Sequence, residues 1–260
     1  MTAKQRIDIL MCERGLAASR EKARAMIMAG EVVAGGQPIT KPGTTIALDT
    51  EIVVKNKPRF VSRGGEKLAW AIETFQLDVH NTVCADVGAS TGGFTDCLLQ
   101  NGASSVYAID VGYGQIDFTL RQDSRVHVIE RTNARFLESL PEPVNFVSID
   151  ASFISLKLLL PTIKNWLSKP ATIIPLIKPQ FEAGRSDVGK GGVVRDSKIH
   201  RRVLVDVLTF AQTNAFQVNG LATSPIKGPA GNIEFLAWLT FDGTAPSSVD
   251  LDALITPLLS

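Results

Sequence analysis

The sequence predicts an α/β architecture, a largely parallel sheet covered on both faces by helices, preceded by a small α+β head. Three observations lead there. Apolar runs of strand length recur at 82–87, 106–109, 126–129, 144–149 and 172–177. Most are separated by helix-like segments, at 92–100, 156–167 and 198–213, and such alternation marks strands buried on both faces. Charge then divides the chain. Residues 1–67 hold twelve Lys or Arg against seven Asp or Glu, net +5, whereas 68–260 hold fifteen against nineteen, net −4. A small basic head on a mildly acidic body points to a polyanionic partner for the head.

In the head, Arg6 to Arg14 and Ser19 to Ala29 read as two short helices broken at Gly15. Ile7, Leu10 and Met11 form one apolar stripe and Ala23, Met26 and Ile27 another. Ser19 is placed to cap the second helix, and Gly30 supplies a left-handed stop. Short β signals follow at 31–34, 38–40 and 52–55, punctuated by Gly35-Gly36 and Lys41-Pro42-Gly43. Asn56 to Phe60 reads as connecting chain, held extended by Pro58. The expected division is therefore a small domain at 1–57, a linker at 58–64 and a larger domain at 65–260. Within the larger domain, 216–222 and 233–241 are strands joined without a helix, which predicts an antiparallel final pair.

Composition excludes several classes. At 45% hydrophobic and 20% charged residues the chain is ordinary globular protein. No run approaches the roughly 18 apolar residues of a membrane span. Nor does the N-terminus carry the apolar region and cleavage site of a secretory signal, so a cytoplasmic protein without membrane association is expected. Cys12, Cys84 and Cys97 lack metal-ligand spacing, and His80, His127 and His200 form no ligand pair, so no metal is expected. No obligate protein partner is evident.

The most informative segment is Asp86-Val-Gly-Ala-Ser-Thr-Gly-Gly-Phe94, directly after the first apolar strand. Gly88 permits a tight strand-to-helix turn, while Gly92 and Gly93 let backbone approach a ligand at the helix start. Asp110 closes the next strand, at a spacing that suits a carboxylate accepting both hydroxyls of an adenosine ribose. Such a Rossmann-like turn could serve NAD or S-adenosylmethionine. The glycine spacing departs from Gly-x-Gly-x-x-Gly, and acidic Asp86 suits a cationic sulfonium better than a pyrophosphate, so S-adenosylmethionine leads.

Four charged residues stand out against this framework. Lys67 lies in Ser62-Arg-Gly-Gly-Glu-Lys-Leu68, Asp150 ends a strand in Ser148-Ile-Asp-Ala-Ser-Phe-Ile-Ser155, Lys178 ends another in Pro175-Leu-Ile-Lys-Pro-Gln-Phe-Glu182, and Glu234 sits within a strand in Gly231-Asn-Ile-Glu-Phe235. In an open α/β sheet ligands gather at the carboxyl ends of the strands, which sends Asp150 and Lys178 to the crevice of the glycine loop. Lys178 and Glu234 adjoin apolar residues, where an unpartnered charge costs several kcal/mol.

Through these segments the chain closely resembles the hemolysin-A (TlyA-type) branch of the FtsJ-like ribose 2′-O-methyltransferases. The resemblance also runs through Asp110-Val-Gly-Tyr-Gly-Gln115, Glu130-Arg-Thr-Asn-Ala134 and Gly191-Gly-Val-Val194, and so covers nearly the whole sequence. It implies a Lys–Asp–Lys–Glu tetrad at Lys67, Asp150, Lys178 and Glu234, with a head similar to that of a ribosomal small-subunit protein. Methylation of cytidine riboses in ribosomal RNA, within ribosomal subunits, is the activity it implies. The cofactor set expected from the loop and the matched segments is Asp86, Gly88, Ala89, Ser90, Gly92, Gly93, Phe94, Asp110, Val111, Asn133 and Asp150. The expected RNA grip is Arg6, Arg20, Lys22, Arg24 and Lys41, with Arg59 and Arg63 near the linker; Arg20 and Arg24 lie one helical turn apart. One departure is Ala18, where some relatives carry an additional arginine. The alternative functions are a non-catalytic RNA-binding factor, a membrane-lytic protein of the kind the family name suggests and, third, an NAD-dependent enzyme. The sequence offers no cationic amphipathic helix for lysis.

Overall fold

A computed structural model describes residues 3–17, 19–54 and 58–259. Ala18, Lys55, Asn56 and Lys57, on which some expectations touched, lie outside the described residues. The chain forms two compact units, Met1–Arg59 and Phe60–Ser260.

The smaller unit contains helices α1 (Ile7–Glu13) and α2 (Arg20–Met28). Ser19 caps α2, its Oγ accepting Lys22 N–H at 3.2 Å, and Gly30 follows the helix at φ +73°. Strands β2 (Val32–Ala34), β3 (Gln37–Ile39) and β5 (Ile52–Val54) form one antiparallel sheet. A further pair, β1 (Lys4–Arg6) with β4 (Thr45–Ala47), is absent from the sequence reading. Lys4-Gln5-Arg6 is wholly polar and Thr45-Ile46-Ala47 has a single β-branched apolar residue, so neither shows a strand signal. The apolar stripes of both helices close on Val32, Ala34 and Ile52 as one core, with Met26 at its edge.

In the larger unit, seven strands lie in the order β11-β12-β10-β9-β6-β7-β8. These are β6 (Val83–Val87), β7 (Ser105–Ile109), β8 (Val126–Ile129), β9 (Val144–Ile149), β10 (Leu167–Ile177), β11 (Gln217–Thr223) and β12 (Phe235–Phe241). The strands β6 to β10 pair in parallel, and β12 runs antiparallel between β10 and β11. Successive strand residues enter opposite cores. Phe146, Ile174 and Leu236 meet α3 (Gly64–Thr74) and α4 (Gly93–Gln100), whereas Val147, Ile173 and Ala237 meet α6 (Leu156–Ile163) and α8 (Ser197–Thr213). This is the doubly covered sheet that the apolar runs predict. Among the described residues no helix is long and apolar enough to cross a membrane.

One boundary and one element differ from expectation. Residues 60–64 are not free linker. Phe60 is 2% exposed and joins the core with Leu68 and Phe94, and Val61 N–H donates to Asp96 on α4 at 2.8 Å. The apolar side chains of Phe60 and Val61 outweigh the flanking charges. Helix α3 also escapes sequence reading, because Gly64-Gly65 at its start mimics a loop; Gly65 is needed because a Cβ there would lie 2.3 Å from the Phe60 ring.

Candidate active site

Each parallel strand delivers its functional residue one position past its end. Asp150 follows β9 and Lys178 follows β10. Glu234 precedes β12 rather than lying inside it, and the antiparallel register Ile177↔Phe235 sets it beside the end of β10. Lys67 projects from the first turns of α3.

These four form two ion pairs. Lys67 Nζ donates to Glu234 Oε2 at 2.6 Å, with only 7% of Lys67 and 1% of Glu234 exposed. Lys178 Nζ meets Asp150 Oδ1 at 2.6 Å and also donates to Ser152 Oγ at 3.0 Å and to the Asp150 carbonyl at 3.3 Å. Burying such charges is costly unless pairing and further hydrogen bonds compensate, and here both pairs are so compensated. All four residues line one cavity of about 300 Å³. Its other walls include Ser62, Arg63, Phe94 and Lys227.

A second cavity, of about 680 Å³, lies along the ends of β6, β7 and β9, and the two share Gly88, Ser90, Asp150 and Ser152. At its wall the Asp110 carboxylate accepts Ser90 N–H at 2.8 Å and Gly112 N–H at 2.7 Å. Val111 and Asn133 line the same space, with Val111 exposed and the Asn133 side chain accepting Arg135 N–H at 3.0 Å. Gly88, at φ +82°, is required by close approach: a Cβ would stand 2.8 Å from the Asp150 carbonyl oxygen. Ala89, Gly93 and Phe94 face the smaller cavity instead.

Two expected ligand contacts are not placed as ligand contacts. Asp86 is fully buried and lines neither cavity; its oxygens accept Thr95 Oγ1–H at 2.7 Å and Ser148 Oγ–H at 3.2 Å. Burial, opposed by the Thr95 hydroxyl and reinforced by the Asp150 charge, pushes this carboxyl up to about 7. It ties the glycine loop to α4 and β9 from beneath. Gly92 also lies off both cavities and serves the turn, at φ +94° with the Leu120 side chain 2.3 Å from where a Cβ would be.

Of the basic residues, Arg63 lines the smaller cavity and is exposed. The others belong to the smaller unit, where Lys22, Arg24, Lys41 and Arg59 are exposed. Arg6 and Arg20 are bound differently from simple surface charges. Arg6 grips fully buried Asp8 through two bonds of 2.9 Å, and Arg20 Nε adds a third at 3.0 Å. The Arg6 guanidinium, against the cost of burial and with help from Arg20, draws Asp8 down to about 2. The sequence reading also missed Ser62, Ser152, Gln180, Lys227 and the exposed Phe153, whose ring lies 4.8 Å from that of Phe181 at the larger cavity. Gln180 and Phe181 were within reach, since both lie in the quoted segment after Lys178.

Comparison with known proteins agrees with this geometry. Residues 60–241 match the FtsJ-like methyltransferase family, and residues 5–52 match the S4 domain. A Bacillus subtilis protein provisionally named rRNA methyltransferase YqxC is 48% identical over 95% of this chain and 90% of its own. The 16S/23S rRNA (cytidine-2′-O)-methyltransferase TlyA of Mycobacterium tuberculosis is 45% identical over 92% of this chain and 91% of its own. A solved structure from Streptococcus thermophilus, provisionally described as a hemolysin, is 44% identical with a TM-score of 0.74, covering 99% of this chain and 96% of that one. With one buried and one partly buried lysine–carboxylate pair at the ends of a methyltransferase sheet and an S4 domain ahead of it, the chain belongs to the FtsJ-like methyltransferase family, in its hemolysin-A (TlyA-type) branch.

Proposed function

We propose that this protein transfers a methyl group from S-adenosylmethionine to the ribose 2′-hydroxyl of a cytidine in ribosomal RNA, acting on ribosomal subunits in the cytoplasm. The observation that carries the reading is the junction of the two cavities, where Asp150 and Ser152 face both spaces and Lys178 is paired to Asp150 at 2.6 Å. A relative at 45% identity carries that activity in its name.

The larger cavity fits the cofactor by its donor set. Each Asp110 oxygen already accepts one backbone N–H and keeps a second lone pair, which suits a vicinal diol. Its volume of about 680 Å³ falls in the usual range of cofactor sites. Gly88, Ser90, Val111 and Asn133 would hold the rest of the molecule. When bound, S-adenosylmethionine supplies a methyl group on a positively charged sulfur.

The smaller cavity would take the ribose. A 2′-hydroxyl is a poor nucleophile at neutral pH, so the site must stabilise negative charge as it develops on that oxygen. The Lys178 ammonium, fixed by three acceptors, supplies that stabilisation once the ribose oxygen displaces one of them, and the neutral Ser152 hydroxyl, which faces both ligand spaces as Asp150 does, is the weakest held of the three. As the oxygen–carbon bond forms, the methyl–sulfur bond would break with its electron pair staying on the sulfur, and the hydroxyl proton passes to the Asp150 carboxylate. Lys67, held by Glu234, orients the ribose from the other wall. Orientation alone can lower such a barrier by roughly 7–11 kcal/mol. The head holds RNA through phosphate contacts, which position without selecting a base.

The test is to incubate purified ribosomal subunits with the protein and methyl-labelled S-adenosylmethionine, then digest the RNA to nucleosides. Label in 2′-O-methylcytidine is expected. Label confined to a base, or to protein, would refute the reading.

A further inference from the structure

The Lys67–Glu234 pair has a third member. While Glu234 Oε2 accepts Lys67, Oε1 accepts the Gln180 amide, Nε2 donating at 3.1 Å. Gln180 stands on α7 (Pro179–Glu182), two residues past Lys178, so the segment that carries one lysine also grips the partner of the other. It lines neither cavity and therefore acts only through Glu234.

Two further observations argue that this contact is selected rather than incidental. Gly228 backs onto the same carboxylate oxygen so closely that a Cβ would lie 2.5 Å from Oε1, and its own N–H is taken by the Asn232 carbonyl at 2.9 Å. The Gln180 amide is thus the side-chain donor for that oxygen among the described residues. The amide also keeps this orientation at a cost, because its Oε1 is buried without a hydrogen-bond partner among the described residues. Rotated the other way, that oxygen would face the Glu234 carboxylate. The fold tolerates the unpaired oxygen and keeps the donor on Glu234.

We propose that Gln180 is a positioning residue for methyl transfer: its amide fixes the Glu234 carboxylate and thereby aims the Lys67 ammonium into the smaller cavity. The inference rests on reading that cavity as the site of methyl transfer.

The experiment uses the full chain, single-turnover methyl transfer to ribosomal subunits across a pH range, and calorimetric affinity for S-adenosylmethionine. Gln180→Met fills a similar volume without a donor, and its rate is expected to fall about 10- to 100-fold with cofactor affinity unchanged. Gln180→Glu carries the sharper signature. Two carboxyl groups at this distance cannot both be charged. With Lys67 facing Glu234, and Lys178 and Asp150 in the same cavity, the variant is slow at high pH. It recovers relative to the unmodified protein as the introduced carboxyl gains a proton and donates the missing hydrogen bond. A purely structural role would show no such recovery. Unchanged turnover in Gln180→Met, or a Gln180→Glu activity ratio flat with pH, overturns the inference. Lys67→Ala separates the two levels. If Lys67→Ala is inactive while the Gln180 variants behave normally, only the role of Gln180 falls. If Lys67→Ala is fully active, the reading of the pair falls and the inference with it.

Discussion

Ile177 and Phe235 face each other across the antiparallel pair of β10 and β12, and this one register places Lys178 and Glu234 at the same edge of the sheet. A parallel strand in that position would start at the opposite edge and send Glu234 away from the site. The antiparallel insertion of β12 is therefore what lets a residue near the C-terminus complete a constellation begun by Lys67, 167 residues earlier. It also explains why the two lysines have different partners. Lys178 takes the neighbour delivered by the parallel strand β9, and Lys67, coming from α3, takes the one delivered by β12.

Asp110 gives a prediction about the cofactor alone. Asp110→Ala removes a carboxylate that both anchors the glycine loop, through Ser90 N–H, and faces the larger cavity. Charge-assisted hydrogen bonds are worth about 1.5–3 kcal/mol each, so S-adenosylmethionine affinity should fall about 10- to 100-fold in calorimetry. RNA binding should be unaffected. An unchanged affinity would move the cofactor out of this cavity.

Asp86 gives a prediction about pH. Its folded-state value, about 7, lies above the ordinary 3.8, so the folded protein holds the proton more tightly than the unfolded chain does. The associated stability is fully present below 3.8 and is lost as pH rises through about 7. Asp86→Asn keeps the shape of the group and removes its titration. Melting curves recorded below and above this window should show the unmodified protein losing several degrees more than the variant. Parallel losses in both proteins would show that Asp86 does not titrate there.

Asp8 gives the opposite sign in the head. Its value is drawn below 3.8 to about 2, so its contribution is present above 3.8 and disappears as pH falls through about 2. Asp8→Ala should destabilise the smaller unit by about 2 kcal/mol at neutral pH, read by hydrogen exchange of its amides. It should also weaken RNA binding, because Arg6 and Arg20 lose the carboxylate that orients them. Native affinity and exchange in the variant would leave both arginines as ordinary solvated charges.

Much of the site was legible because its residues occupy places where physics limits the choice. Gly88 follows a strand whose turn demands positive φ, and Asp150 and Lys178 terminate strands of a parallel sheet, where ligands gather. Residues whose meaning depends on distant neighbours were less visible. Asp86 reads as a cofactor-facing acid before a turn until the hydroxyls of Thr95 and Ser148 are seen to cover it. Gln180 stands beside Lys178 in the sequence, but its partner Glu234 lies 54 residues on and is reached only through the β10–β12 register. Phe60 looked like linker because the segment before it is charged, while its burial depends on the space left by Gly65. Helix α3 hid behind Gly64-Gly65, and β1 and β4 carry too few apolar residues to leave a strand signal.

The most direct test of the chemistry is single-turnover methyl transfer by Lys178→Ala with S-adenosylmethionine at saturation, alongside its calorimetric affinity. If the Lys178 ammonium stabilises the forming alkoxide as proposed, its loss should slow transfer at least about 100-fold while cofactor affinity stays unchanged. Transfer at the normal rate would contradict the placement of the reacting oxygen beside Lys178.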